Sequence, residues 1–257
     1  MGGRIAARLA GALAGAAIVL PILVVVPVAF SEQSFVTLPP EAWSLRWWRA
    51  FFADPSWLSA LVTSVQVAIL SAALAVSAGT AAALGLPRLP AWGRALMNAL
   101  ALGPIVAPVI VLAVGVYALA RSAGLVGSVW SLALAHAMLA VPYVILNVGV
   151  SIAALDPRLA QAAEGLGAGP WRVFRTVTLP SILPGVLGGG VFAFVTSFDE
   201  VVLAIFLAGP RVKTLPVRIW EEIRVEYTPV VAVAATIMIA LPLLGAVVGR
   251  IGARRAA

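Results

Sequence analysis

Few residues in this sequence can do chemistry, and their scarcity narrows the function. There is no cysteine and a single histidine, His136. Thiolate nucleophiles, disulfides, zinc-thiolate sites and His-rich metal sites are excluded, and so are the usual pairings of a general base. The only lysine, Lys213, stands in GPRVKTLP without the Gly-Lys-Ser/Thr of a phosphate-binding loop. Hydrolase and metalloenzyme readings lose most of their material. Two features remain. One is the acidic pair Asp199 and Glu200, set in an apolar run and preceded by Phe194 and Phe198 at i, i+4 spacing. A carboxylate at membrane depth is costly and usually faces a cavity or a partner. The pair therefore has two readings: attraction of a cationic amine, or a carboxylate hydrogen-bonded at a helix break or gate. Successive residues differ by about 100° around a helix, so both acids need not face one pore. The two Phe rings are either packing or part of a surface for a cation. The second feature is Asp156 to Pro184, DPRLAQAAEGLGAGPWRVFRTVTLPSILP, which is dense in residues that start and stop helices.

The elements that must position these groups follow from composition. The chain has 257 residues, 62% hydrophobic and 11% charged, with a mean hydropathy of +1.08. Soluble domains are nearer half apolar and a quarter charged. An ordinary soluble enzyme and a disordered chain are excluded, leaving an all-α polytopic membrane protein. At about 20 apolar residues per span, the length holds roughly six helices and little else. The apolar runs place them at about 9–30, 57–86, 95–120, 128–150, 185–208 and 229–248, within a single transmembrane domain covering 1–257. The first run exceeds the core of a signal peptide and reads as an uncleaved span. Between the first two spans, Leu45, Trp48 and Phe52 recur at i, i+3 and i+7. This is the pattern of a short helix lying in the bilayer interface.

Net charge is +7. The basic residues are scattered between apolar runs, so they point to membrane sidedness rather than to nucleic acid. Six spans put both termini on one side. With that side cytoplasmic, ten basic residues lie inside against two acids, Asp156 and Glu164. Outside, seven basic residues meet six acids: Glu32, Glu41, Asp54, Glu221, Glu222 and Glu226. The excess of inside basic residues, with Arg4 and Arg8 ahead of the first span, predicts an N-in, C-in arrangement.

The segment 156–180 then falls on the cytoplasmic side. Asp156 is a good N-cap and Pro157 suits the first helical position. Gly167 is placed to end the helix in the left-handed conformation. Gly169-Pro170 restarts the chain, Trp171, Phe174 and Val177 recur every three residues, and Leu179-Pro180 is expected to close the second helix. The prediction is two short helices joined by a tight glycine turn, with small residues Ala162 and Ala163 allowing close approach by another protein.

These residues resemble the EAA motif of ABC importer permeases. Ala162, Ala163, Gly167 and the Val177, Leu179, Pro180 ending match it. Gln161 stands where the family usually has Glu. The resemblance extends over SLRWWRAFFADPSWLSALVTSVQVAI and SFDEVVLAIFLAGPRVKTLPVRIWEEI, which are similar to the second permease subunit of spermidine/putrescine-type importers.

The resemblance implies a type I ABC importer permease fold in a bacterial inner membrane. It implies a heterodimer with a second permease subunit, a cytoplasmic ATPase dimer that alone binds ATP and Mg, and an extracytoplasmic solute-binding protein. No cofactor is expected on this chain. Gln161, Ala162, Ala163, Glu164, Gly167, Ala168, Pro170, Trp171, Phe174, Leu179 and Pro180 become the ATPase-coupling residues. Asp199, Glu200, Phe198 and Phe194 become candidates for the solute pathway. The implied solute is a polyamine or related amine, with amino acids, opines, aminoalkyl phosphonates and ferric iron as alternatives. A self-contained secondary carrier is the competing class, and no clear internal repeat supports it.

Overall fold

The computed structural model describes residues 2–35, 37–225 and 228–256. Glu226, one of the six acids assigned outside, lies beyond those residues. The described chain is helical, with only two isolated bridges, Ser31 to Trp43 and Gly209 to Val212. The helices are α1 (Gly2–Val28), α2 (Arg46–Ala53), α3 (Pro55–Gly85), α4 (Ala91–Val106), α5 (Val109–Ser122), α6 (Val129–Ala153), α7 (Pro157–Gly165), α8 (Pro170–Val173), α9 (Leu179–Phe198), α10 (Val202–Leu207), α11 (Leu215–Val225) and α12 (Val230–Ala256). Contacts gather them into two compact units, Met1–Ala60 with Val217–Leu241, and Leu61–Pro216 with Pro242–Ala257.

The first unit is organised by aromatic rings. Phe51, fully buried, meets Phe52 edge-on at 5.2 Å and Trp57 at 5.6 Å. Trp48 lies 5.4 Å from Phe30. The Arg218 guanidinium sits 4.6 Å over the Trp57 ring and bonds Glu222 at 2.7 Å. A short α2 forms where the i, i+3, i+7 pattern predicts one. Its anchor, however, is Phe51, a residue outside that pattern, while Leu45 and Phe52 stay exposed. Asp54 separates α2 from α3 and caps the latter: its Oδ1 accepts the Ser56 amide at 2.7 Å, the usual device for an orphan donor at a helix start.

The second unit is built on α6 and α9, which run against each other along their length. Glycine makes this possible. A Cβ on Gly185 would come within 2.4 Å of Ser151 Oγ and 2.6 Å of the Asn147 carbonyl, and one on Gly189 within 3.0 Å of Val144 Cα. Gly79 of α3 meets Val144 in the same way, at 2.7 Å. Small residues at such contacts let helix backbones approach where lipid offers no competing hydrophobic drive. Ala75, Ala140, Val144, Val148, Ile182 and Ala193 fill the resulting core.

Among the described residues, three helices are long and apolar enough to cross a membrane: Pro55–Arg88, Val129–Ala153 and Pro170–Phe198. The expected continuous third span, 95–120, is instead two helices, α4 and α5, bent by 108° at Ala107–Pro108. Proline carries no N–H and drives the residue before it out of the helical region; Ala107 is extended, with ψ 138°. The expected fifth span, 185–208, is also broken. Helix α9 ends at Phe198, Asp199 to Val201 leave the helix, and α10 follows.

Candidate functional site

The segment joining α6 to α9 is assembled from its caps. Asp156 is extended, with ψ 117°, and its carboxylate accepts the Arg158 amide at 2.9 Å, with Pro157 at the first helical position. Helix α7 carries Gln161 and Ala162 exposed, Ala163 half-buried and Glu164 exposed. It closes in a Schellman turn. The Gly167 amide donates to the Glu164 carbonyl at 2.9 Å and the Ala168 amide to the Ala163 carbonyl at 3.1 Å, while Gly167 takes φ +82°. Leu166 is thrown outward at 90% exposure, and Trp171, five residues on, is 71% exposed. Pro170 starts α8, and Trp171 stacks on Phe174 at 5.5 Å. The result is an exposed knob bearing two large apolar side chains.

One expectation fails here. Leu179-Pro180 does not close the second helix. Phe174–Thr178 forms a π-helical turn, with the Leu179 amide donating to the Phe174 carbonyl, and the chain runs straight into α9. Pro180 cannot donate to the carbonyl four residues back. The wider turn absorbs that mismatch. Thr176 Oγ1 donates to the Arg172 carbonyl and Ser181 Oγ to the Val177 carbonyl, each at 2.7 Å. Helix α8 is thus continuous with α9, in a helical run from Pro170 to Phe198.

The acidic pair sits at the far end of α9, in the break. The two carboxylates have different surroundings. Glu200 Oε1 accepts the Leu203 amide at 2.8 Å, which makes it the cap of α10. Asp199 is exposed and has no side-chain hydrogen bond among the described residues. Phe194 and Phe198 stack at 5.6 Å, but Phe198 is only 1% exposed and is a packing residue. Of the four pathway candidates, Asp199 and half-buried Phe194 keep accessible surface free of another task. Of the other polar residues within apolar helices, Asn98 and Gln66 are exposed, and Asn147 bonds its own helix at the Tyr143 carbonyl, at 2.8 Å.

Sequence reasoning missed two contacts between distant parts of the chain. The fully buried His136 bonds Ser197 across 61 residues. Gly127, at φ +77°, lies so close to Gly209 that a Cβ on Gly209 would fall 2.9 Å from its Cα. Neither partner is visible from spacing, because both contacts join distant parts of the chain.

Residues 75–256 match the family described as the binding-protein-dependent transport system inner membrane component. This chain belongs to that family. It is a multi-pass permease of the bacterial inner membrane, not a soluble component. Among family relatives, the spermidine/putrescine transport system permease protein PotC of Haemophilus influenzae is 31% identical over 92% of this chain and 91% of its own length. The putrescine transport system permease protein PotI of Escherichia coli is 31% identical over 85% of this chain and 80% of its own. A permease chain in the crystal structure of a bacterial ABC transporter that imports the acidic polysaccharide alginate superposes with a TM-score of 0.70. That match covers 97% of this chain and 95% of the other at 15% identity. At that identity the match speaks for the ABC importer permease fold alone. The matched residues take in both the knob and the acidic break of this permease.

Proposed function

We propose that this permease is one of two related subunits lining the path of an ATP-driven importer, and that its solute is a polyamine or related amine handed over by an extracytoplasmic binding protein. In this reading six spans cross the membrane with both termini inside, and the α7–α8 knob lies in the cytoplasm. The knob is the coupling element. A separate ATPase dimer binds ATP and Mg there, and this chain supplies no covalent chemistry.

The knob is the observation that carries the proposal. Helix α7 is fixed by a cap at one end and a Schellman turn at the other, and the knob exposes Leu166 in that turn and Trp171 on α8, where a soluble partner can cover them. Exposed large apolar residues on a rigid, capped turn suit docking into a groove. Gln161 keeps the hydrogen-bonding capacity of the motif's Glu but not its charge. Closure of the ATPase dimer would move the knob, and the unbroken helical run from Pro170 to Phe198 would carry that motion to the acidic break.

The break is where the solute reading enters. Glu200 is occupied as a cap, so Asp199 is the carboxylate left to meet a cation, with Phe194 nearby. The polyamine systems named for the two relatives agree in charge with such a group. Copurification from the native membrane tests the assembly: an ATPase and a solute-binding protein are expected to come with the chain. Titrating that binding protein against amines, amino acids and phosphonates tests the solute. Tight binding of an amine alone is expected. A preference for an amino acid or a phosphonate would overturn the solute reading, and a chain that purifies without an ATPase would overturn the importer reading.

A further inference from the structure

We propose that His136 is a positioning residue that holds the acidic break in place by closing the C-terminus of α9 through Ser197. The inference rests on the reading of Asp199 as the solute-facing group.

A helix end leaves carbonyls without partners. At the end of α9 the Asp199 amide donates to Val195 at 3.1 Å and is shared with the Ser197 carbonyl, which otherwise receives a long 3.4 Å bond from the Glu200 amide and so keeps room for a better-placed donor. His136 supplies that donor. Its Nδ1 lies 3.1 Å from the Ser197 carbonyl and 2.9 Å from Ser197 Oγ. In the tautomer with the proton on Nδ1 the ring donates to this carbonyl, which can only accept. Nε2 is then an acceptor, and it is buried without a partner among the described residues. A fully buried imidazole with one edge unsatisfied is a poor choice for packing alone. The bond it makes has a specific consequence. Asp199 lies between two anchored residues: Ser197, tied to α6, and Glu200, tied to α10. The bond thereby restricts where the Asp199 carboxylate can go. The α6–α9 pair is fixed at its other end by Gly185 and Gly189, so His136 completes a rigid connection from the knob to the break.

The test uses the complete transporter in proteoliposomes: this chain with its partner permease, its ATPase and a binding protein loaded with radiolabelled putrescine. Four forms are compared with the parent: His136→Leu, His136→Asn, Asp199→Asn and the double variant His136→Leu with Asp199→Asn. Asn places an amide donor near the position of Nδ1, whereas Leu removes it.

The Leu variant is expected to raise the half-saturating concentration of loaded binding protein about five- to tenfold, the size of one lost hydrogen bond. His136→Asn is expected to restore it to within about twofold of the parent on the same basis. The Leu change should add nothing once Asp199 is already Asn, because groups acting through one another are not additive. Amide exchange at 199–203, read by mass spectrometry without transport, is expected to speed up in the Leu variant and not in the Asn variant. Unchanged exchange overturns the proposal, as does an Asn variant as impaired as Leu, or effects that multiply in the double variant. If Asp199→Asn transports normally, the solute-facing reading of Asp199 fails, and the exchange result alone then decides whether His136 holds the break.

Discussion

At the residue scale, the structure separates side chains that sequence alone treats as equivalent. Asp199 and Glu200 are adjacent acids in one apolar run, yet one is free and the other caps α10. A Gln at 200 still presents an acceptor to the Leu203 amide, so Glu200→Gln is expected to change uptake of a cationic amine less than twofold. Asp199→Asn removes the free charge and is expected to weaken uptake about tenfold or more. Initial rates across amine concentrations check the pair, and equal effects would contradict the division of roles. Gly167 is the other single-residue hinge of the argument. At φ +82° a side chain there is strained by about 1–2 kcal/mol. Gly167→Leu is therefore expected to distort the Schellman turn and lower the solute moved per ATP hydrolysed several-fold. Normal coupling in that variant would show the turn assignment to be wrong.

At the element scale, the tight seam between α6 and α9 carries its own prediction. A Cβ at Gly185 has nowhere to go, whereas Gly149 on α6 has nothing within 4 Å. Gly185→Val is expected to destabilise the permease by about 2–4 kcal/mol through overpacking against backbone, and Gly149→Ala to be nearly neutral. Thermal unfolding in detergent separates the two, and a tolerant Gly185 would refute the seam.

The α3 cap gives a pH prediction. Partial burial alone would raise the Asp54 carboxyl. The Ser56 amide and hydroxyl, the Arg218 guanidinium and the Trp57 amide outweigh it and hold the carboxyl below its ordinary value. A carboxylate lowered in the folded state contributes stability above its unfolded pKa and loses it as pH falls through the folded value. Acidification below about pH 4 is therefore expected to speed amide exchange in the first turn of α3, and Asp54→Ala to abolish that pH dependence.

Legibility in the sequence followed range. The caps of α7 are local, so Asp156, Pro157, Gly167 and Pro170 announced its start and stop. The bend at Pro108 and the continuation through Pro180 are not legible from spacing, because a proline can break a helix or ride on a π-helical turn, and neighbouring carbonyls decide which. A carboxylate hydrogen-bonded at a helix break is one of the two sequence readings of the acidic pair, and Glu200 fits it; which acid does so is not legible, since hydropathy carries no information about backbone angle. The bond from His136 to Ser197 depends on tertiary packing across 61 residues and left no local mark.

At the scale of the whole molecule, the low charge content has an explanation. With 11% charged residues, the chain has almost no material for a soluble engine or receptor. Its few charged groups lie at helix ends and in connectors, among them the exposed knob, the aromatic connector between α1 and α3, the stretch from Arg211 to Arg224 and the acidic break. The knob and the break lie at opposite ends of a helical run from Pro170 to Phe198, 29 residues long and about 44 Å at 1.5 Å per residue. That distance exceeds the thickness of a hydrocarbon core of about 30 Å, so in the proposed topology one element is long enough to link the two faces of the membrane. The most direct test is uptake of radiolabelled putrescine into proteoliposomes holding this chain with its partner permease and ATPase. Accumulation is predicted only when ATP is supplied on the knob side and the loaded binding protein on the other. Accumulation driven by an ion gradient without ATP or binding protein would contradict the account.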